Sequence, residues 1–347
     1  MSSEPKVMLD IRGVSKSFVR NRTVFGRPKE TVRAVREISL MVREGETLGI
    51  VGESGSGKST LGRLIVQLDP VDSGQILFEG EDLVKLSKSK LRARRRDLQM
   101  IFQDPYASLD PTKSVGTSIA EPLRIFEKMS QAQCDALVRE LLPQVGMRAE
   151  FADRYPGEMS GGQHQRVAIA RALAINPRLI VADEAVSALD MSTQSEVINL
   201  MARLTRDFGL TSVFISHNLA VVRHISDRIA VMYLGQVVEL GPAETVYSAP
   251  QHPYTEALLS AIPIPDPIIQ RARPKVVLEG DTPDPAHPPK GCAFASRCPY
   301  AQQICREEDP ELKDRLGDGT LSACHFAKSR PQPTLGMLDD DLVTTGA

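Results

Sequence analysis

The chain has 347 residues, of which 41% are hydrophobic and 25% charged, and its formal net charge is -2. This length accommodates one large domain with an extension, or two domains, each with a sizeable core. The near-zero charge predicts no strong attraction to nucleic acid or anionic lipid, and no apolar run approaches the ~18 residues of a membrane-spanning helix. The N-terminus has no basic and apolar signal regions, so we expect a cytosolic protein whose five cysteines are reduced.

Two short strands are predicted near the N-terminus, at residues 7–14 and 38–42, where apolar residues are concentrated. The basic stretch 20–36 between them contains glycine and proline and is predicted to be a loop. Residues 72–79 combine a turn signal with an alternating strand, and the three segments together predict a small antiparallel sheet. Phe18 follows the first strand, and its ring suits stacking on an adenine and covering a hydrophobic edge equally well.

A glycine-rich loop follows the apolar run Thr47–Val51, which is predicted to be a buried strand. The loop reads GESGSGKST and has the spacing of a phosphate-binding loop, in which backbone N–H groups surround the phosphates. Lys58 would reach the β- and γ-phosphates, and the Ser59 hydroxyl would ligate Mg2+. The alternative is a glycine-rich turn with an ordinary surface lysine. The residues predicted to contact nucleotide here are Gly52, Glu53, Ser54, Gly55, Ser56, Gly57, Lys58, Ser59 and Thr60.

The next segment is predicted to contain a solvated basic turn, a buried strand and a helical insert. Residues 92–96 are rich in arginine without interleaved aromatic residues, which favours a solvated turn over a nucleic-acid contact. Gln103 ends the strand that follows. From residue 115 to residue 147 apolar residues recur at helical spacing, and Cys134 within this insert is predicted to have no chemical role.

A second serine-glycine turn opens the helix predicted after residue 159. It consists of Ser160, Gly161, Gly162 and Gln163. A hydroxyl and free N–H groups at a helix start can bind an anion. An ordinary N-cap explains the serine equally well, but it does not explain the glycine pair.

Two strand ends carry candidate catalytic side chains. Asp183 and Glu184 close the apolar strand at residues 179–182, a position from which carboxylates hold Mg2+ and face the attacking water in nucleotide hydrolases. His217 follows the predicted strand 212–215. A lone histidine is more often structural, yet ligands of open α/β sheets bind at this edge.

With these motifs in this order, the chain resembles the ATP-binding cassette family, the ATPase subunits of ABC transporters. The resemblance covers residues 7–262 and rests on the phosphate loop, Gln103, Met159 to Gln163, Asp183-Glu184, the loop from Ser187 to Asp190, and His217. It implies an α/β fold: a P-loop, RecA-like core with an antiparallel β subdomain and a helical subdomain at about 104–160, within a nucleotide-binding domain of residues 1–262.

The resemblance also implies roles for single residues. Ser59 and Asp183 would hold Mg2+, with Gln103 sensing the ion and the water. Glu184 would be the base that activates water, and His217 would steady the γ-phosphate bound by Lys58. Two cassettes would sandwich two ATP molecules. The further implied nucleotide contacts are Phe18 on adenine and, facing the nucleotide of the partner chain, Ser160, Gly161, Gly162, Gln163 and Asp190.

The stretches 102–111, 183–190 and 252–263 resemble the subgroup that imports dipeptides, oligopeptides and nickel chelates. This implies a peripheral ATPase at the cytoplasmic face of the inner membrane. Its partners would be a second, related ATPase subunit, two transmembrane permeases and a substrate-binding protein, with no nucleic acid. The alternatives are a soluble cassette ATPase acting on DNA or ribosomes, and an importer of nickel chelates or glutathione.

A C-terminal extension, residues 263–327, begins with a proline-rich linker and contains a group of cysteines. These are Cys292, Cys298, Cys305 and Cys324, with five, six and eighteen intervening residues. Their spacing alone leaves zinc, an iron–sulfur cluster and unligated thiols open. The resemblance to the peptide importers implies a 4Fe–4S cluster, which we expect beside ATP and Mg2+. Residues 328–347 are expected to be a disordered tail.

Overall fold

The computed structural model describes residues 6–22, 28–263, 276, 278 and 280–331. Its strands are β1 (Val7–Arg22), β2 (Pro28–Arg43), β3 (Thr47–Val51), β4 (Ser73–Phe78), β5 (Glu81–Asp82), β6 (Leu98–Ile101), β7 (Leu179–Asp183), β8 (Thr211–Ser216), β9 (Arg228–Tyr233), β10 (Gln236–Pro242), β11 (Lys313–Asp314) and β12 (Leu321–Ser322). Its α-helices are α1 (Lys58–Ile65), α2 (Lys88–Arg94), α3 (Val115–Pro122), α4 (Gln131–Gln144), α5 (Gly161–Leu173), α6 (Met191–Phe208), α7 (Leu219–Ile225), α8 (Ala243–Ser248), α9 (Pro253–Ser260) and α10 (Gln303–Glu307). Apart from residues 328–331, the predicted tail lies outside the described residues.

The chain divides into two compact units. The first comprises the described parts of Met1–Val14, Ser39–Leu48 and Ser59–Ser216, and the second those of Ser15–Ile38, Gly49–Lys58 and His217–Ala347. Strands β1, β2 and β3 contribute residues to both units, and the phosphate loop up to Lys58 belongs to the second.

Three parallel strands, β6, β7 and β8, organise the first unit. Every residue of β7 and β8 is buried, which suits the continuous apolar runs of parallel strands covered on both faces. The register pairs Asp183 with Ile215, so both strands end at the same edge. Asp183 therefore stands at the carboxyl edge of these strands, as the sequence predicts.

The helices of the first unit begin and end at residues suited to capping. Helix α4 starts with a capping box between Ser130 and Gln133, and α6 starts at Asp190 and ends at Gly209 in the left-handed region. The predicted helical insert is confirmed as α3 and α4, and Cys134 is buried in α4. The arginine-rich segment predicted as a turn is partly helical. Ser87 caps the N-terminus of α2, and most of the basic side chains of this helix are exposed to solvent.

The N-terminal strands are longer than the sequence predicts. β1 runs to Arg22 and β2 begins at Pro28, so much of the stretch predicted as a loop is extended. Along β2, exposure alternates between neighbouring residues, and basic residues such as Arg33 occupy exposed positions. Charged residues are compatible with a strand that has one face in solvent, because only every second side chain is buried.

A hairpin organises the second unit. β9 and β10 pair antiparallel across a turn in which Leu234 and Gly235 have φ of 44° and 81°. β10 also pairs with β12 of the extension, with Glu239 opposite Ser322. The strand order here is β11-β12-β10-β9-β3. In the described part of the chain, no helix has both the length and the apolar character that crossing a bilayer requires.

Candidate functional site

The phosphate loop follows β3, whose five residues are all buried. At two positions of this loop, the neighbouring backbone is so close that only glycine fits. A Cβ at Gly52 would lie 2.2 Å from the Met232 carbonyl oxygen, and one at Gly57 would lie 2.1 Å from that of Ala34. Gly57 also has φ of 100°, where a side chain is strained.

Lys58 turns back over the loop. It is 4% exposed, and its Nζ donates hydrogen bonds to the carbonyl oxygens of Gly52, at 2.7 Å, and Glu53, at 2.9 Å. The ammonium group is thus held against the backbone of its own loop. A lysine in this place can meet the phosphates of a nucleotide bound by the loop.

Two polar pairs form at the carboxyl edge of β7, within the first unit. Ser59 Oγ donates to Asp183 Oδ1 at 2.8 Å, and Gln103 Nε2 donates to Glu184 Oε2 at 2.9 Å. A hydroxyl and a carboxylate are the hard oxygen ligands that Mg2+ prefers, so the first pair fits that ion. The four side chains come from separate parts of the sequence, and the fold brings them together in these two pairs. Their roles toward nucleotide and Mg2+ stay predictions.

Glu184 has an unusual backbone conformation. Its φ is 45°, in the left-handed region that non-glycine residues seldom occupy, and its N–H donates to the Ile215 carbonyl oxygen at 2.9 Å. Such strain persists where the surrounding structure imposes it, and it is concentrated at functional sites. The bond to β8 fixes the direction in which the Glu184 side chain leaves the strand.

The serine-glycine turn caps α5. Ser160 N–H donates to Gln163 Oε1 at 3.0 Å, and Gln163 N–H donates to Ser160 Oγ at 3.4 Å, which completes a capping box. Gly162 packs closely, since a Cβ there would lie 2.3 Å from Thr193 Cγ2. The Tyr106 and His164 rings meet at a centroid distance of 4.2 Å. The N-cap reading of Ser160 is therefore confirmed, and the phosphate contact stays a prediction.

The remaining predicted residues occupy separate places. Asp190 caps α6, and bonds from Ser192 and Thr193 hold the pKa of its carboxyl below the usual range. His217 is exposed directly after β8. Phe18 is 41% exposed with Lys16 Nζ 5.4 Å from its ring centroid, so one face of the ring contacts a cation.

The four cysteines of the extension line one cavity of about 20 Å³. Its other lining residues include Phe294, Tyr300 and Phe326. Burial raises the pKa of the Cys292 thiol to about 12, and it also raises the pKa values of Cys298 and Cys324. Of the described residues, no three cysteines have their sulfur atoms all within 4.8 Å of one another.

Comparisons with known proteins identify the family. A family model described as ABC transporter matches residues 35–187, and one described as the oligopeptide/dipeptide transporter C-terminal region matches residues 238–305. The probable peptide ABC transporter ATP-binding protein y4tS of Sinorhizobium fredii is 51% identical over 92% of this chain and 89% of its own length. The oligopeptide transport ATP-binding protein AppF of Bacillus subtilis is 49% identical over 94% and 99%, respectively. The chain belongs to the ABC transporter ATP-binding proteins.

A solved structure supports the same assignment of the fold. The cassette MJ0796, in a dimeric post-hydrolysis state bound to ADP and Pi, matches with a TM-score of 0.61 and 31% identity over 68% of this chain and 99% of that one. The ABC protein described here is accordingly an ATPase of mixed α/β cassette fold. The family, fold class and ATPase activity predicted from the motifs are confirmed.

The predicted 4Fe–4S cluster is wrong. The matching family and relatives are described as ABC ATP-binding proteins, and a cluster is no part of those descriptions. In the part of the chain that the structure describes, burial raises the pKa values of Cys292, Cys298 and Cys324. The error came from the resemblance to the peptide importers, because the cysteine spacing alone left zinc, a cluster and unligated thiols open.

Sequence reasoning missed two side chains that hold the phosphate loop. Tyr254 accepts a hydrogen bond from the Glu53 N–H at 2.8 Å, and Arg297 forms an ion pair with the Glu53 carboxylate at 2.9 Å. Both follow Glu53 in the sequence by about two hundred residues or more. No spacing rule links positions so distant, and the sequence contains two partial signals: Tyr254 lies in the stretch 252–263 that resembles the importer subgroup, and Arg297 lies beside Cys298.

Proposed function

We propose that this ABC protein binds and hydrolyses ATP to power peptide import by a pair of transmembrane permeases. The match of residues 238–305 to an oligopeptide/dipeptide transporter region supports this substrate class, as do relatives named for peptide and oligopeptide transport. The protein would work peripherally at the cytoplasmic face of the inner membrane, paired with a second ABC ATPase subunit and supplied by a substrate-binding protein. Residues 1–262 would form the nucleotide-binding domain, and residues 263–327 its extension.

The observation that carries the proposal is the joining of Ser59 with Asp183 and of Gln103 with Glu184 at one strand edge. Ser59 and Asp183 would hold Mg2+, which when bound neutralises charge on the phosphate oxygens. Lys58 would bind the β- and γ-phosphates, and His217 would contact the γ-phosphate. Glu184 would accept a proton from the attacking water, with Gln103 holding its carboxylate in place.

The active unit would be a dimer of cassettes. Ser160 to Gln163 and Asp190 would face the nucleotide held by the partner subunit, and Phe18 would stack on adenine. The dimeric relative bound to ADP and Pi supports this arrangement. Ser160 Oγ already accepts a bond within its own chain, so it would offer its hydroxyl hydrogen to a phosphate while it caps α5.

The substitution Glu184→Gln tests the chemistry. We expect ATP turnover to fall by about 100-fold or more, the lower end of what a general base contributes, with ATP binding retained. Turnover and nucleotide affinity are measured on the purified full chain. Glu140→Gln, at an exposed position of α4, is the matched control and should leave turnover unchanged. Undiminished hydrolysis by Glu184→Gln would refute its assignment as the base.

The coupling to transport is tested in proteoliposomes that contain the permeases, the partner ATPase and the binding protein. We expect ATP-dependent peptide uptake and stimulation of hydrolysis by loaded binding protein. A chain that purifies without permeases and hydrolyses ATP at a rate unaffected by them would contradict the transport role while leaving the ATPase assignment intact.

A further inference from the structure

Glu53, the second residue of the phosphate loop, is fixed on both sides of its backbone. Its N–H donates to the Tyr254 hydroxyl at 2.8 Å, and its carbonyl oxygen accepts from Lys58 Nζ at 2.9 Å. Tyr254 belongs to α9 and is fully buried. The backbone of the loop at this residue is thus tied both to its own lysine and to a helix far along the chain.

The side chain of Glu53 is held by the extension. Arg297 Nη1 donates to Oε2 at 2.9 Å and Nη2 donates to Oε1 at 3.2 Å, a two-pronged contact. Nη1 also lies within hydrogen-bond distance of Thr282 Oγ1, at 3.2 Å, and of the Tyr233 hydroxyl, at 3.4 Å. The Arg297 side chain is 10% exposed and that of Glu53 32%, so the pair is partly shielded from solvent. Planar two-pronged contacts fix direction as well as distance, and lysine cannot reproduce them.

The segment that carries Arg297 is itself anchored. Phe294 is 1% exposed, and its ring centroid lies 5.3 Å from that of Tyr233 and 5.4 Å from that of Tyr254. The Arg297 N–H donates to the Phe294 carbonyl oxygen at 3.0 Å. The backbone that carries the Arg297 guanidinium is therefore held in place by the packing of Phe294 against Tyr233 and Tyr254. All of these residues belong to the second unit.

Charge explains what this contact does. A carboxylate in a loop that surrounds a triphosphate repels the ligand, and the repulsion is strongest where solvent screening is weakest. Arg297 neutralises that carboxylate and directs its oxygen atoms to the extension. Without the arginine, Glu53 would remain in the loop as an uncompensated negative charge.

We propose that Arg297 is a positioning residue for nucleotide binding: it neutralises and orients Glu53, so that the cysteine-containing extension completes the phosphate loop. This inference rests on the proposed function, in which the loop binds ATP. Arg297 acts through Glu53, so its loss should weaken binding without slowing the chemical step. The extension would accordingly set the affinity for nucleotide.

The test measures the Kd of the magnesium complex of a non-hydrolysable ATP analogue on the full chain, by calorimetry. For Arg297→Ala we expect Kd to rise about tenfold, the factor expected for a charge-assisted hydrogen bond of ordinary strength. In steady state, KM for ATP should rise by a similar factor, with kcat unchanged at saturation. Arg306→Ala removes an exposed arginine of the same extension and should leave Kd unchanged.

The double variant Glu53→Gln with Arg297→Ala distinguishes two roles of Arg297: neutralising the Glu53 carboxylate, and merely stabilising the fold. Removing the carboxylate removes the repulsion, so Kd should return to within about threefold of the wild-type value, whereas a purely structural arginine would not be rescued. Arg297→Lys keeps the charge without the two-pronged contact and should fall between wild type and Arg297→Ala. If Arg297→Ala does not fold, Arg297→Lys takes its place as the single variant, both alone and combined with Glu53→Gln.

Two outcomes overturn the inference: an unchanged Kd for folded Arg297→Ala, or a double variant as weak as the single one. Lys58→Ala, measured alongside, reports on the proposed function itself. If Lys58→Ala abolishes binding while Arg297→Ala does not change it, the loop binds nucleotide and only the role of Arg297 fails. If Lys58→Ala binds like wild type, the proposed function fails.

Discussion

Two regions of this protein collect side chains that can bind metals, and they differ in their surroundings. At the carboxyl edge of β7, polar partners meet: Ser59 with Asp183, and Gln103 with Glu184. In the extension, four cysteines line a small cavity beside aromatic rings, and burial raises the pKa values of three of them, Cys292, Cys298 and Cys324. The polar groups at the strand edge are joined to one another by hydrogen bonds, whereas the thiols lie among largely apolar and aromatic side chains. Two groups of potential metal ligands therefore stand in different surroundings, one polar and one desolvated.

This difference predicts that substitutions in the first region affect chemistry and that those in the second affect stability. The largest effect is expected for Asp183→Asn, which keeps the shape of the side chain but removes the charge that would hold Mg2+. Turnover should fall at least about 100-fold, while the free energy of unfolding changes by no more than about 1 kcal/mol. The measurements are steady-state ATPase activity and denaturant unfolding.

Asp207→Asn, an exposed position near the end of α6, is the matched control for Asp183. It should change neither turnover nor stability. The opposite result would be a large loss of stability in Asp183→Asn, with turnover lost only in proportion to the unfolded fraction. Asp183 would then serve to stabilise the fold, as we expect of the extension.

The second prediction concerns Phe294, the buried aromatic residue of the extension. Phe294→Ala removes a ring that is 1% exposed and contacts Tyr233, Tyr254 and His252. Truncation of a buried phenylalanine leaves a cavity, so the free energy of unfolding should fall by about 3 to 4 kcal/mol. Denaturant unfolding measures this change, and kcat of the folded fraction should stay within about twofold of wild type.

Phe326, which is 38% exposed in the same extension, offers the comparison for Phe294. Phe326→Ala should cost less than about 1 kcal/mol. Equal losses in the two variants would mean that the extension is held by features other than the Phe294 contacts.

The third and smallest effect is the pH dependence of a buried pair in the second unit. Burial raises the pKa of Glu239 to about 7, and burial lowers the pKa of His252 to about 3. Glu239 accepts hydrogen bonds from the N–H groups of Gln251, at 2.6 Å, and His252, at 3.0 Å. Relative to the unfolded chain, the folded protein holds an extra proton on Glu239 and one fewer on His252, so the two contributions oppose each other.

The sign for Glu239 alone follows from linkage. Its pKa in the folded protein lies above the ordinary glutamate value of 4.5, so its stabilising contribution is complete below pH 4.5 and is lost as pH rises through about 7. The stability of wild type relative to Glu239→Gln should therefore fall with rising pH across this window. Denaturant unfolding at several pH values gives this difference.

Glu311→Gln, at an exposed position of the same unit, is the control for Glu239 and should show no such slope. A difference between wild type and Glu239→Gln that does not vary with pH would mean that the Glu239 carboxyl titrates normally in the folded protein. The surroundings of Glu239 in the second unit would then be less desolvating than the burial of its side chain implies.

The sequence by itself determined the family and most of the candidate catalytic residues. The Gly-x4-Gly-Lys-Ser loop and the acids closing an apolar strand are local patterns, because each depends on neighbours in the chain and on strand or helix periodicity. The hydrogen-bond partners of those residues depend on the topology of the sheet. Because parallel strands end at one edge, the contact of Ser59 with Asp183 could be predicted once β7 was recognised as such a strand.

Only the tertiary structure decided the rest. The extent of β1 and β2 depends on strand pairing, the hairpin of β9 and β10 continues into the extension through β12, and the pKa values of the cysteines depend on burial. Arg297 reaches Glu53 across 244 positions of sequence. Desolvation and long-range contacts arise from atoms that are distant in the chain, so composition, spacing and periodicity contain no measure of them.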